Sequence, residues 1–296
     1  MAYFKCGSDG SSVEIDGVAY DGDLKLNSIT FDLKLPDIPV SFREGISIVF
    51  EKELHIFYAS NHYKWNGREW IYVGDMPGCT YKDSVFIHDD KLYLIGYNKF
   101  YSWDGETWTS IGTLPTSYSG IYRAISWNGN IHLVAPMNGL NTYHYMFDGV
   151  TWTQLIRYGG REPISIFIYN NQIVATGEIN GSNNEDRTFK MFNGTSWVNF
   201  IVAPINLYFT ESRTGVDGDY IYVSDSNRFY RWDGSDWFET PLMPYRINGA
   251  NIVKYNGNLY LLGGNATTTS GSTTTYPYEK NFYSLQQQIL LVIPEE

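Results

Sequence analysis

Residues 101–108, YSWDGETW, decide the fold because the same pattern keeps coming back. An aromatic residue, Asp or Asn, Gly, two further residues and Trp recur at Trp65-Asn66-Gly67 with Trp70, Trp103-Asp104-Gly105 with Trp108, and Phe147-Asp148-Gly149 with Trp152. Phe192-Asn193-Gly194 with Trp197 and Trp232-Asp233-Gly234 with Trp237 complete the set. Successive closing Trp residues lie 38, 44, 45 and 40 positions apart. A self-similar period of this length is the signature of a chain that stacks one small unit many times.

The chemistry of one copy suggests what that unit is. Asp-Gly or Asn-Gly between apolar residues signals a two-residue hairpin, because both turn positions need φ > 0. On that register Trp103 opposes Glu106 and Tyr101 opposes Trp108. Side chains alternate along a strand, so Tyr101, Trp103 and Trp108 leave one face as an aromatic plate. Tyr63, Tyr145 and Tyr230 repeat the Tyr position, while Lys190 breaks it. A lone hairpin cannot bury such a plate, so the plate must lie on the neighbouring sheet. The Trp residues are therefore expected to be packing residues rather than ligand contacts.

A second hairpin precedes each aromatic one. It reads ISIVF-EKE-LHIFY at 46–58, VFIH-DDK-LYLIG at 85–96, AISW-NGN-IHLVA at 124–135 and SIFIY-NNQ-IVATG at 165–177. Less regular and final copies cover 214–224 and 251–264. Six copies predict an all-β, six-bladed propeller over residues 43–296, each blade built from two hairpins. The sixth copy lacks the Trp hairpin. After it, 265–280 is rich in Thr, Ser and Gly and reads as a loop, and 282–285 and 289–293 are candidates for its outer strands. The alternating segment 24–35, ended by Pro36, is the other candidate for closing the ring. Residues 1–42 do not fit the repeat and are assigned to an N-terminal arm that either joins the ring or docks elsewhere.

Composition narrows the function. Of 296 residues, 43% are hydrophobic and 17% aromatic, which suits one large β domain. The formal net charge of −11 argues against nucleic acid and anionic lipid as partners. No run approaches the ~18 apolar residues of a membrane span, and the start, MAYFKCGSDG, is not a secretory signal. Cys6 and Cys79 are too few for a disulfide framework or zinc site, so no metal or cofactor is expected. The five His residues, 55, 62, 88, 132 and 144, look scattered through the hairpins.

The repeat resembles the kelch-type β-propellers. The resemblance rests on a strand ending Leu261-Leu262-Gly263-Gly264, on Tyr and Trp flanking a short turn, and on the trailing Met76-Pro77, Leu114-Pro115 and Met243-Pro244. Only the last repeat keeps the double Gly, which makes this a divergent version. The turn also resembles the Asp-box of sialidases, although residues 102–108 are one residue short of it. A non-repetitive N-terminal segment followed by an aromatic propeller is similar to bacteriophage tail and baseplate proteins. That resemblance implies a virion location, or otherwise a cytoplasmic one.

If both hairpin turns of each blade lie at one end of the ring, the long connections 112–120, 137–143, 157–163, 178–188, 203–213 and 265–281 gather at the other. Function on such scaffolds concentrates on variable loops held by a rigid frame. The candidate ligand residues there are Tyr118, Arg123, Tyr143, His144, Arg157, Tyr158, Arg161, Arg187, Tyr208, Arg213, Tyr245 and Arg246, since Tyr and Arg are enriched at binding hot spots. The expected role is a non-catalytic module that binds a cell-surface glycan or protein, with other tail subunits held through the arm. The alternatives are an intracellular kelch-like protein scaffold and a sialidase-like carbohydrate-active enzyme. The enzyme would need Arg123, Arg161, Arg213 and Arg246 to converge with Glu178 or Glu211.

Overall fold

The computed structural model describes residues 4–6, 12–15, 18–21, 24–34, 36–40, 42, 45–80, 83–96, 99–138, 141–159, 162–177, 187–205, 213–218, 220–225, 228–239, 247–248, 250–263, 265–266, 268–270, 273–275 and 282–291. Among them there is no helix, and the sheets are arranged as a β-propeller. Six innermost strands stand side by side around a central channel: Ile46–Phe50, Ser84–His88, Arg123–Trp127, Ser165–Tyr169, Arg213–Val216 and Asn251–Tyr255. Five of them begin a four-stranded antiparallel blade, not the six expected. At the first ring position, Ile46–Phe50 pairs with the long strand Glu53–Trp65, which pairs in turn with Trp70–Cys79, giving a three-stranded sheet. There the second and third passes of the repeat follow each other with no intervening loop, the chain turning back at Ala59 (φ 52°) so that His62 stands against His55.

The two kinds of hairpin close differently, and this corrects the register inferred for the aromatic one. In the inner hairpin the turn residues both have positive φ: Asp89 and Asp90 at 45° and 55°, Asn128 and Gly129 at 50° and 74°, Asn170 and Asn171 at 47° and 57°. These are two-residue turns, which Asn, Asp and Gly adopt most readily. In the aromatic hairpin only Gly is left-handed, and Trp103 faces Trp108 across a four-residue loop, with Tyr101 opposite Ser110. The Asp104 carboxylate accepts from the backbone N–H groups of Glu106 and Thr107 at 3.0 and 2.8 Å, and the Asp104 N–H donates to Thr107 O. Asp148, Asn193 and Asp233 accept the same pair of bonds. These bonds hold the carboxyls of Asp104, Asp148 and Asp233 below the usual carboxylate range. A side chain that caps the loop in this way makes a left-handed Asp unnecessary.

The aromatic plates lie where the sequence places them, between sheets. Trp103 stands edge-on to Phe50 and His62 of the preceding sheet, Trp152 covers Phe100, Trp197 meets Tyr158, and Trp237 meets Phe189. The buried apolar residues fall into six clusters, each shared by two neighbouring sheets. The cluster joining the last sheet to the first unites Leu262 and Tyr255 with Leu54 and Ile56, and it also takes in Ile38 and Phe42. At the channel a second device locks neighbours together. Ser84 Oγ donates to Tyr122 O at 3.0 Å, Arg123 Nε to Ile164 O at 2.7 Å, and Asn251 Nδ2 to Gly45 O at 2.8 Å. In each case the first residue of one inner strand reaches the carbonyl just ahead of the next.

The last blade is closed by distant parts of the chain. Phe282–Leu291 is a single strand, not two, and its outer neighbour is Leu24–Lys34, paired from Tyr283↔Lys34 to Leu291↔Leu24. Part of the segment assigned to the arm is therefore the outermost strand of the ring. What remains separate is a meander, Phe4–Cys6, Ser12–Ile15 and Val18–Asp21, which pairs with no ring strand among the described residues. The Thr-rich stretch is not wholly a loop either, since Thr268–Ser270 pairs with Thr273–Thr275.

Two substitutions test this account. Asp104→Ala lowers the melting temperature whereas Asp104→Asn does not, because Asn already serves at position 193; calorimetry of the two variants separates them. Trp103→Ala, at a site only 5% exposed, costs about 3–5 kcal/mol of stability in denaturant unfolding.

Candidate functional site

Antiparallel order puts both hairpin turns of a blade at one end of the channel and the long connections at the other. The long-connection face is best described around the third ring position. Thr116 Oγ1 donates to Pro136 O at 2.7 Å, tying the incoming loop to the far end of the second strand, Asn130–Asn138. The Tyr122 hydroxyl donates to Tyr118 O at 2.7 Å and fixes the same loop from below. Gly120 lies so close to Pro136 and the Glu162 carboxylate that a Cβ there would clash with both. On this fixed rim Tyr118 is 42% exposed and Met137 53% exposed. Met137 was not among the residues singled out from sequence. Its signal was available: a Met beside the Asn138-Gly139 turn signal, where a polarizable side chain adapts to a partner.

The other predicted residues divide clearly. Arg157 and Arg187 are exposed on the same end; Arg157 Nε donates to Gly159 O at 3.3 Å, and Arg187 O receives the N–H of Ala203. Arg123 is a structural bracket instead of a ligand residue: its guanidinium donates to the carbonyls of Ile164, Asp83 and Tyr122, on three adjoining sheets. His144 is fully buried and hydrogen-bonded to His132 at 2.9 Å inside its blade. Tyr158 is buried too, with its hydroxyl 3.4 Å from Gly177 O, Trp197 edge-on to its ring at 5.0 Å and the Lys190 ammonium 4.8 Å above it. Both are corrections. Strand alternation places these two side chains between sheets, which a reading of them as loop residues missed. Tyr143 is half-buried beside Tyr145. Arg213 opens an inner strand, while Arg161, Tyr208, Tyr245 and Arg246, with Glu178 and Glu211, lie outside the described residues.

The channel itself encloses about 470 Å³, a volume in the range of small-molecule sites. Its wall mixes aliphatic side chains such as Ile48 and Val253 with the hydroxyls of Ser47, Ser126 and Thr214. Ser126 Oγ lies 2.9 Å from His88 Nδ1, and His88 Nε2 lies 3.4 Å from the exposed Asp89 carboxylate. Among the described residues, no group of three or more His, Cys, Asp or Glu could hold a metal ion, and no helix is long and apolar enough to cross a membrane.

No family model matches this chain, and no curated protein matches it. Solved structures do. The structure of YjhT aligns with a TM-score of 0.62 at 13% identity, covering 82% of this chain and 99% of that one. At that identity the likeness is one of fold.

The bracket role of Arg123 has a measurable consequence. Arg123→Ala lowers stability on the order of 2–3 kcal/mol by unfolding, because charge-assisted bonds to buried carbonyls are lost.

Proposed function

We propose that this chain is a non-catalytic binding module of divergent kelch type that presents its long-connection face to a bacterial cell-surface glycan or protein. Its setting in this reading is a particle such as a phage tail or baseplate. The observation that carries the reading is the Tyr118–Met137 rim: two large apolar side chains held out to solvent, one on a connection hydrogen-bonded to the ring and one at the bulged end of the second strand. Singly exposed apolar side chains are ordinary, Val150 and Val202 among them here; Tyr118 and Met137 support the reading because both stand on the fixed long-connection rim. A tyrosine ring stacks on the apolar face of a pyranose, and the exposed Arg157 and Arg187 supply donors for hydroxyl or carboxylate groups. The separate N-terminal meander supports attachment, since it can bind another subunit without disturbing the ring.

A second reading, hydrolysis, has the Ser126–His88–Asp89 chain of groups in its favour, because a hydroxyl bonded to an imidazole beside a carboxylate is how a serine nucleophile is activated. One assay separates the two. Purified protein is tested on glycan arrays and whole cells, with oligosaccharide masses read from the same wells. The binding reading expects retention without a change of mass, weakened about tenfold or more by Tyr118→Ala with Met137→Ala. Products that have lost an acyl substituent, with the serine ester hydrolysed by water, and that disappear in Ser126→Ala, would replace it with hydrolysis. Silence in both channels would favour the protein-scaffold reading.

A further inference from the structure

Four of the five histidines are buried in two matching pairs. His55 Nδ1 is 2.8 Å from His62 Nε2 at the first ring position, and His132 Nδ1 is 2.9 Å from His144 Nε2 at the third. None of the four is more than 2% exposed. The pairs are equivalent in the repeat: His55 and His132 are the third and third residues of the second strands beginning Glu53 and Asn130, and His62 and His144 both precede the aromatic residue of the Asn/Asp-Gly loop by three. At the second and fifth positions the same places hold Tyr93 with Phe100 and Tyr222 with Phe229, ring centroids 6.1 and 5.6 Å apart. The chain thus uses two interchangeable ways to fill one site, and only one of them titrates.

Each pair sits beneath the aromatic plate of the next blade. His62 faces Trp103 at 5.0 Å and Trp108 at 6.5 Å; His144 faces Phe192 at 4.5 Å and Trp197 at 5.4 Å. We infer that these two joints of the ring are acid-sensitive, so that protonation of the histidine pairs loosens the first blade interface and the third while the Tyr–Phe joints hold. With one imidazole donating and its partner accepting, both rings are neutral. A doubly protonated pair would set two N–H groups against each other, and His144 Nδ1 has no hydrogen-bond partner to receive a further proton.

The surroundings offer little to hold added charge. Near the first pair the charged groups are Glu53, which favours protonation, and Lys64, which opposes it and is paired with Glu53 at 2.8 Å. The plates that cover both pairs are uncharged, and Lys190 lies beyond the third-position pair over Tyr158. The carbonyls of Phe50 and Trp127 favour the charged forms of His55 and His132, but burial outweighs them. Burial moves His55 and His132 down to about 4 and His62 and His144 to about 3, from an ordinary 6.5. The unfolded chain therefore binds more protons than the folded one below pH 6.5. The stability these neutral pairs contribute is complete above pH 6.5 and is lost as pH falls toward 4 and below. Within that window each buried histidine raises the unfolding constant by about tenfold per pH unit.

The test is equilibrium unfolding and amide exchange of the full chain between pH 7.5 and 4.5. The expected result is a steep loss of stability below pH 6.5, with protection lost first in the strands that meet at Trp103 and Trp197. The chain supplies its own control: His55→Tyr with His62→Phe, and His132→Tyr with His144→Phe, copy the pairs used at the second and fifth positions. Each double change should remove its own share of the pH slope. An unchanged slope in the fourfold variant, or equal exchange at all six joints of the native chain, would overturn the inference. If a variant does not fold at pH 7.5, the exchange pattern of the native chain decides alone.

Discussion

The packing of one blade's aromatic plate on its neighbour is the interaction on which everything else depends. A four-stranded sheet with apolar side chains on both faces has no stable solution alone, and two such sheets leave two faces bare. Each added sheet moves the problem along by one place. Only a closed ring leaves none exposed, and six shared clusters with no free end are that solution. The inner-strand locks at Ser84, Arg123 and Asn251 then fix at the channel an arrangement that apolar contact alone, being non-directional, would not hold in register.

Much of this was legible in the residues. The period, the two hairpins per unit and the burial of Trp103 follow from turn chemistry and alternation. The aromatic turn was misread because Asp-Gly signals φ > 0 at two positions, whereas a carboxylate that caps two backbone N–H groups needs only the Gly. The first unit departs from the four-stranded count because its second and third passes follow without an intervening loop, the chain reversing at Ala59 inside Glu53–Trp65, and nothing in the residue pattern marks a turn that tight.

The candidate site was less legible, for a physical reason. Tyr118 could be chosen as a loop residue, but exposure of Met137 and burial of His144 and Tyr158 depend on which sheet face a residue takes where a blade ends, and a bulge resets that choice. The register shifts between Thr142 and Tyr143 and between His144 and Tyr145 occur at this point. The histidine pairs were hidden differently: each member is ordinary until the repeats are superposed position by position, when His55 aligns with His132 and His62 with His144.

The pairing of Leu24–Lys34 with Phe282–Leu291 has a consequence in time as well as space. On a ribosome the outer strand of the last blade emerges early and must wait while the intervening repeats are synthesised. Five sheets can stack as they appear, but the seam closes only after residue 291 has cleared the exit. Until then an early strand and a late inner hairpin each carry an unpaired edge, the feature most prone to pairing with a wrong chain. Yield on expression should thus be governed by this last, most non-local step, which is the slow kind in β topologies.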